Sequence, residues 1–397
     1  MLTGGLPPAF ALMALSSVLP KIDAALAHNA NESFLVKQLI GVVGLAMVVA
    51  APLSGFLVHR IGLNRLLTIS LIIYVITGAA GLYIDELHWL LFSRLGVGIT
   101  GATIQVACLT LINTRLDEAE RARWMGRHFG TTMLTTLLIH PVVGILGDIS
   151  WRLPFAIYLA GLLLIPVASR LSLSATAIFP SDVKNSGASN SFVERSWREQ
   201  LPWRHALLAL VLGGIAYLPT IYASYLLRGI GVNDTKTVAF VLTADALAGV
   251  GMAMFYGRIR RILSYFPIFM ISLLVACCGA IVSGLSQNLV GIFIGLALIG
   301  LGNGWFVPNL MTSLAQTIPM SQQGKAVGMV KASTYLAAPI FITLAEPFFR
   351  QFGARGVMLS VSLLAIIVAI LLWSSVRRGK FLAASMLPAL ALEEASS

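Results

Sequence analysis

The sequence predicts an all-α integral membrane protein, with twelve transmembrane helices in two pseudo-symmetric six-helix halves. Three observations predict it. Twelve apolar stretches fill almost all of the 397 residues, and a span needs ~20 mostly apolar residues to cover ~30 Å of hydrocarbon. The chain is 57% hydrophobic and 11% charged, with a mean hydropathy of +0.87, where a soluble domain carries about a quarter charged residues. Third, the basic residues alternate from loop to loop. A net charge of +11 would suit a nucleic-acid partner, but its placement in loops between spans argues against one.

The spans run over 5–26, 35–58, 66–85, 88–113, 123–147, 152–170, 204–228, 235–257, 264–286, 288–317, 323–346 and 355–376. Loops after even-numbered spans, together with the C-terminal tail, hold 18 of the 27 lysines and arginines. Loops after odd-numbered spans, with the helix ends beside them, hold Lys21, Lys37, Arg152, Arg228, Lys236, Arg350 and Arg355. Positive charge stays on the cytoplasmic side, so both termini are expected in the cytoplasm, in a plasma membrane of the bacterial inner type. The first apolar run has no basic residues before it and reaches helix length, so no cleavable signal is expected. Cys108, Cys277 and Cys278 all fall in spans and read as small core residues.

Residues 1–170 form an N-terminal six-helix half and 204–376 a C-terminal one. Between them, 171–203 is polar, rich in Ser and Asn, and reads as a cytoplasmic linker. Its end, Phe192 to Trp203, has the pattern of a short surface helix. Residues 377–397 form a cytoplasmic tail. The halves repeat weakly at a spacing of 202: Gly55 falls on Gly257, Ser70 on Ser272, Gly98 on Gly300 and Gly126 on Gly328. Parallel six-helix repeats are one scheme used by secondary transporters.

The loop between spans 2 and 3, Gly55 to Arg65, reads GFLVHRIGLNR. Gly55 permits close helix approach, Gly62 suits a turn, and Arg60 and Arg65 anchor to lipid phosphate. Here the chain resembles the major facilitator superfamily, whose signature at this place is roughly G-x-L-a-D-r-x-G-r-[kr]. The resemblance extends to the twelve spans and the central loop. It implies a cytoplasmic gate at Gly55, His59, Arg60, Gly62 and Arg65. The family's acidic residue is His59 here. Either Asp117, Glu118 or Glu120 in the next loop takes its place, or the latch is weak or pH-sensitive.

Span 4 contains Arg94 and the string Gly96 to Gly101, a G-x-G-x-x-G match inside an apolar helix. A dinucleotide site needs a strand before this string and a helix starting at it, so close packing is the reading here. Arg94 lies roughly 9 Å into its span at 1.5 Å per residue. A charge at that depth costs ~2.5–3.5 kcal/mol and calls for a cavity or a partner, unless it snorkels. The resemblance links an R-x-x-x-G pattern in this helix to proton coupling. Span 5 carries His140-Pro141 with Gly144 and Gly147, a partial match to the family's G-P-x-x-G. Pro141 kinks the helix, and His140 either titrates near neutral pH or is packed against a carbonyl. In the second half, Asp245 falls near the middle of span 8, and a mid-membrane carboxyl suits a transportable proton. Asp245, Arg94 and His140 are therefore the candidates for proton coupling.

By resemblance, spans 1, 4, 7 and 10 line a central cavity. Its candidate residues are Gln105 in span 4, Tyr217, Thr220, Tyr222 and Tyr225 in span 7, and Asn303, Trp305 and Asn309 in span 10. Lys331 of span 11 joins them. Aromatic and amide groups in an apolar cleft suit an amphipathic organic solute. The chain holds no Walker loop, no H-E-x-x-H and no paired catalytic carboxylates, so no enzyme, metal or cofactor is expected beyond a proton gradient as energy source. The expected function is proton-coupled export of a small amphipathic molecule by alternating access, from a monomer. The alternatives are import of an organic anion held by Arg94 and Lys331, or a lipid- or ligand-binding membrane protein that does not pump.

Overall fold

The computed structural model describes residues 10–11, 15–115, 118–170, 202–318 and 323–377. The predicted linker up to residue 201, most of the tail, Asp117 and most of the first half of span 1 lie outside the described residues. The helices follow the predicted spans: α1 (Leu19–Leu26), α2 (Ala30–Ile61), α3 (Leu63–Ala79), α4 (Leu87–Arg115) and α5 (Glu118–Ile149). The segment α6 covers Leu153–Leu164 and Ile165–Arg170. The second half holds α7 (Trp203–Arg228), α8 (Thr235–Ile262), α9 (Tyr265–Leu285) and α10 (Leu289–Thr317). Gln323–Arg377 is one helical run broken at Gly353 (φ 65°, ψ −165°), so 323–352 is α11 and 354–377 is α12. Among the described residues, nine helical runs are long and apolar enough to cross a membrane. This last run is two of the predicted spans.

One expectation is refined. Span 6 begins as a 3-10 helix over Leu153–Leu164, where residues three apart share a face. Phe155, Tyr158 and Gly161 form that row and are buried. The Phe155 ring lies on Gly81, the Tyr158 ring on Gly78, and Val75 against Gly161. Period-3 stacking fits flat rings onto backbone stripped of side chains, which is how helices without a water-driven force between them hold contact.

The predicted repeat appears as geometry. Gly98 of α4 lies against Val43 and Ala46 of α2. Gly300 of α10 lies against the backbone of Asp245 of α8, and Asp245 is the residue 202 positions after Val43. Each half thus has the same crossing at the same place, made possible by the same missing side chain. Ser70 and Ser272, also paired by the repeat, are both buried.

The halves meet along α2–α11, α5–α8 and α1–α7. Call the end carrying the α2–α3, α4–α5, α8–α9 and α10–α11 connections the basic end. At the opposite end the halves are in contact: Gly41 lies against Pro339, Gly44 against the Tyr335 carbonyl, Gly144 against Ala239 and Gly147 against Thr235. Toward the basic end they part. Gly55 follows Gly44 by three turns on nearly the same face, ~16 Å along the axis, and faces open space. Gly328, two turns before Tyr335 on α11, also faces open space, as does Gly130 of α5. The interface is a V, closed at the opposite end and open at the basic end.

The paired glycines give a test. Gly44→Leu forces a side chain into the Tyr335 backbone and is expected to cost about 1–3 kcal/mol, read as a lower melting temperature of the purified protein. Gly55→Leu, on the open part of the same face, is expected to leave that temperature unchanged.

Candidate functional site

A cavity of ≈ 270 Å³ opens between α7, α8 and α10, with Thr136 of α5 and Thr334 of α11 at its margin. Small residues create it. Gly249 of α8 lies 3.2 Å, at an added Cβ, from the Gly300 carbonyl, and Gly304 of α10 is packed on the Gly249 carbonyl in turn. Helices this close leave no room for side chains between them, so the polar groups that flank the crossing turn into the cavity. Those groups are Asp245, Tyr217, Thr220 and Asn303, with Pro308 nearby.

Asp245 is the centre of this set. Its carboxyl lies beside Thr220, and an added Cβ at Gly300 would stand 2.9 Å from its Oδ1. That oxygen is buried without a hydrogen-bond partner, as is Oδ1 of Asn303. Among the described residues no ion pair reaches Asp245. The walls are otherwise apolar or small, as an organic-ligand pocket is.

The other predicted site residues lie outside the lining of this cavity. Trp305 and Asn309 serve packing within the second half. The Trp305 indole donates to the Met252 carbonyl at 2.9 Å, and Asn309 donates to the Tyr265 carbonyl at 3.0 Å while accepting from Tyr256 at 3.1 Å. Gln105 accepts from the Tyr335 hydroxyl at 3.0 Å, which joins α4 to α11 across the halves. Lys331 is partly buried one turn before Tyr335. His140 is buried directly before Pro141, and its Nδ1 has no partner.

Arg94 is wholly buried inside the first half. Its Nη2 donates to the Thr77 and Gly78 carbonyls at 2.9 and 3.0 Å, and its Nη1 to the Tyr158 hydroxyl at 3.4 Å. The guanidinium carbon is 5.0 Å from the Phe155 ring centre and 5.3 Å from that of Tyr158. Thr77 and Gly78 end α3, where carbonyls lack helical partners, and a cation at a helix C-terminus is favourable. Arg94 is therefore a cap for α3.

Tyr222 and Tyr225 lie at the closed end. They pack with Phe349 at 5.3 and 5.4 Å between ring centres, beside a pair that sequence reading overlooked. Lys37 of α2 donates to Glu346 of α11 at 2.8 Å, with the lysine side chain fully buried. Asp148 of α5 forms a second link, to Lys21 at 3.4 Å and Lys236 at 3.7 Å. The available signal was two opposite charges inside spans 2 and 11. Counting Lys37 with the loop charges hid it.

At the basic end, Gly62 ends α2 with φ 86°, the turn geometry expected of it. Arg60 and Arg65 are exposed, and Arg60 lies over Phe56 at 4.7 Å. The side chains of His59 and Glu118 lie outside the described ones, and Glu120 is exposed.

The assignment of Arg94 is testable. Arg94→Met strands the last carbonyls of α3 in a dry site and is expected to cost about 2–4 kcal/mol in thermal unfolding. Arg94→Lys is expected to recover part of that loss. No change in either variant would remove the capping role.

The family model of the Major Facilitator Superfamily matches residues 4–285 and 218–384. The tetracycline resistance protein, class D, of Salmonella ordonez is 30% identical over 154 residues, 36% of this chain and 37% of that protein. The chain thus matches little more than a third of that relative's length. Multidrug resistance protein 1 of Bacillus subtilis is 20% identical over 321 residues, 80% of this chain and 82% of that protein. Among solved structures, a D-xylose-proton symporter superposes with a TM-score of 0.74 at 14% identity, covering 94% of this chain and 95% of that one. That likeness shows the fold alone. From the family match over nearly its whole length, with the two-half fold around an interior cavity, the chain belongs to the Major Facilitator Superfamily and is a transporter of the membrane.

Proposed function

We propose that this transporter exports a small amphipathic organic molecule in exchange for protons, with the α7–α8–α10 cavity as substrate site and Asp245 as coupling carboxyl. The observation that carries the reading is a carboxyl oxygen buried without a partner in a cavity of apolar and aromatic walls. A carboxylate with no ion-pair partner and only the Thr220 hydroxyl beside it is costly to hold charged in such surroundings. Two things relieve the cost, a proton or a cationic or polar substrate group, and they compete for the same oxygen. Competition for one group is what exchange requires. Tyr217 and Asn303 supply a ring and an amide for an amphipathic partner. The names of the two bacterial relatives, a tetracycline resistance protein and a multidrug resistance protein, favour export and a bacterial inner membrane.

The orientation belongs to the same proposal. The basic end is cytoplasmic by the placement of lysine and arginine, so the V opens to the cytoplasm, where an exporter loads. Import of an organic anion has less support, because Arg94 is already engaged by α3 and does not reach the cavity.

In reconstituted vesicles, Asp245→Asn is expected to reduce pH-gradient-driven flux at least about tenfold, the effect of ~1.4 kcal/mol of lost coupling. The fold should survive, as read by an unchanged elution volume and melting temperature. Unchanged gradient-driven flux would remove Asp245 from the mechanism. Orientation is checked by an impermeant thiol reagent on intact cells. A cysteine replacing Gln287 should label and one replacing Arg261 should not; the reverse pattern would invert the topology.

A further inference from the structure

The closed end of the V is held by charges as well as by shape. Lys37 and Glu346 sit on α2 and α11, one from each half, 309 positions apart in the chain, and bond at 2.8 Å. The ammonium is also 4.0 Å from the centre of the Phe349 ring. The second carboxylate oxygen of Glu346 accepts from Arg350 Nε at 3.0 Å, and Arg350 reaches back to Asn31 of α2 at 3.0 Å. Other charged and titratable groups face the pair from every neighbouring element. Asp23 of α1 faces Lys37, and Arg228 and Tyr225 of α7 face Asp23. Tyr222 of α7 lies near Glu346. The separate link of Asp148 to Lys21, Lys236 and the Thr235 amide stands at α5–α8.

Alternating access requires this end to open, and opening must draw α11 from α2. The energetics of a buried pair then become a switch. Paired, the two charges offset each other's desolvation. With Glu346 neutral, Lys37 keeps the through-space attraction of Asp23 but loses its hydrogen-bonded counter-charge while still buried, which is unfavourable. The ammonium regains water only if the end opens. We propose that the Lys37–Glu346 pair is a proton-sensitive latch on this end of the transporter, and that protonation of Glu346 releases it. The inference does not depend on the role of Asp245. It makes Glu346 a positioning residue: it sets which state the cavity occupies without touching the substrate.

The test reads conformation, so it needs neither substrate nor flux and remains informative if Asp245 proves not to couple. Spin labels replace His88 and Gln287, both exposed at this end and one in each half, with the exposed Cys278 changed to Ser. Distances are measured in lipid nanodiscs through a stepwise acidification. In the parent protein, acid should raise the ratio of long to short distances about tenfold. Glu346→Gln should favour the long distance at every pH, because it strands the lysine. The double variant K37M/E346M should return the short distance and lose the pH response, since well-packed apolar replacements of a buried pair are tolerated. Persistence of the acid response in the double variant would assign it to Asp148 or Asp23 and overturn the proposal. So would a parent protein indifferent to pH, or a Glu346→Gln variant that stays closed.

Discussion

Hydrocarbon offers no hydrogen bonds, and this structure is organised around that deficit. Each backbone must satisfy itself within its helix, so helices meet through shape, at glycines where one chain rests on another's carbonyls. The few polar side chains inside must be matched at a specific place. Arg94 closes the end of α3, Trp305 finds the Met252 carbonyl, and Asn309 joins α10 to α9. Lys37 and Glu346 find each other across the halves. Among the described acidic groups, Asp245 alone retains a buried oxygen without a partner. In a setting where such deficits are expensive, this acidic one coincides with a cavity.

The internal repeat sharpens this point. Val43 and Asp245 occupy the same place in the two halves, each beneath a glycine of the crossing helix. The scaffold is shared and the chemistry is not. A valine in one half and a carboxyl in the other give the interior a polarity that the fold by itself lacks. The same holds at the closed end, where each half contributes one sign of the α2–α11 pair.

Hydropathy made the spans legible, and with them the position of Asp245 along α8, because these depend only on how many apolar residues lie in a row. The facing of side chains was not legible. At 100° per residue, Tyr222 points about 140° away from Tyr217, and Asn309 about 120° away from Asn303. Tyr217 and Asn303 reach the cavity; Tyr222 and Asn309 do not. In α7, apolar residues surround the whole helix, so no polar stripe distinguishes one face from another. Arg94 was legible as a buried charge but not as a cap, since its partners are backbone atoms that carry no sequence signal. The 3-10 start of α6 escaped for a related reason: a row of Phe155, Tyr158 and Gly161 has no meaning until the glycines of α3 are seen beneath it.

Gly353 gives the closed end a mechanical character. It joins α11 to α12 through a single left-handed residue, with no loop to absorb strain. Glu346 and Arg350 lie seven and three residues before this joint, roughly 10 Å and 5 Å along the axis. Any swing of α11 away from α2 must therefore be carried by α12. The outer face of α12, at Leu363, Ile367, Ile370 and Leu371, is exposed and apolar, a surface suited to acyl chains. Glu346 and Arg350 on one side of the glycine and the apolar outer face of α12 on the other thus belong to one continuous helical run, and the contact between the halves and that outer face are parts of a single mechanical unit.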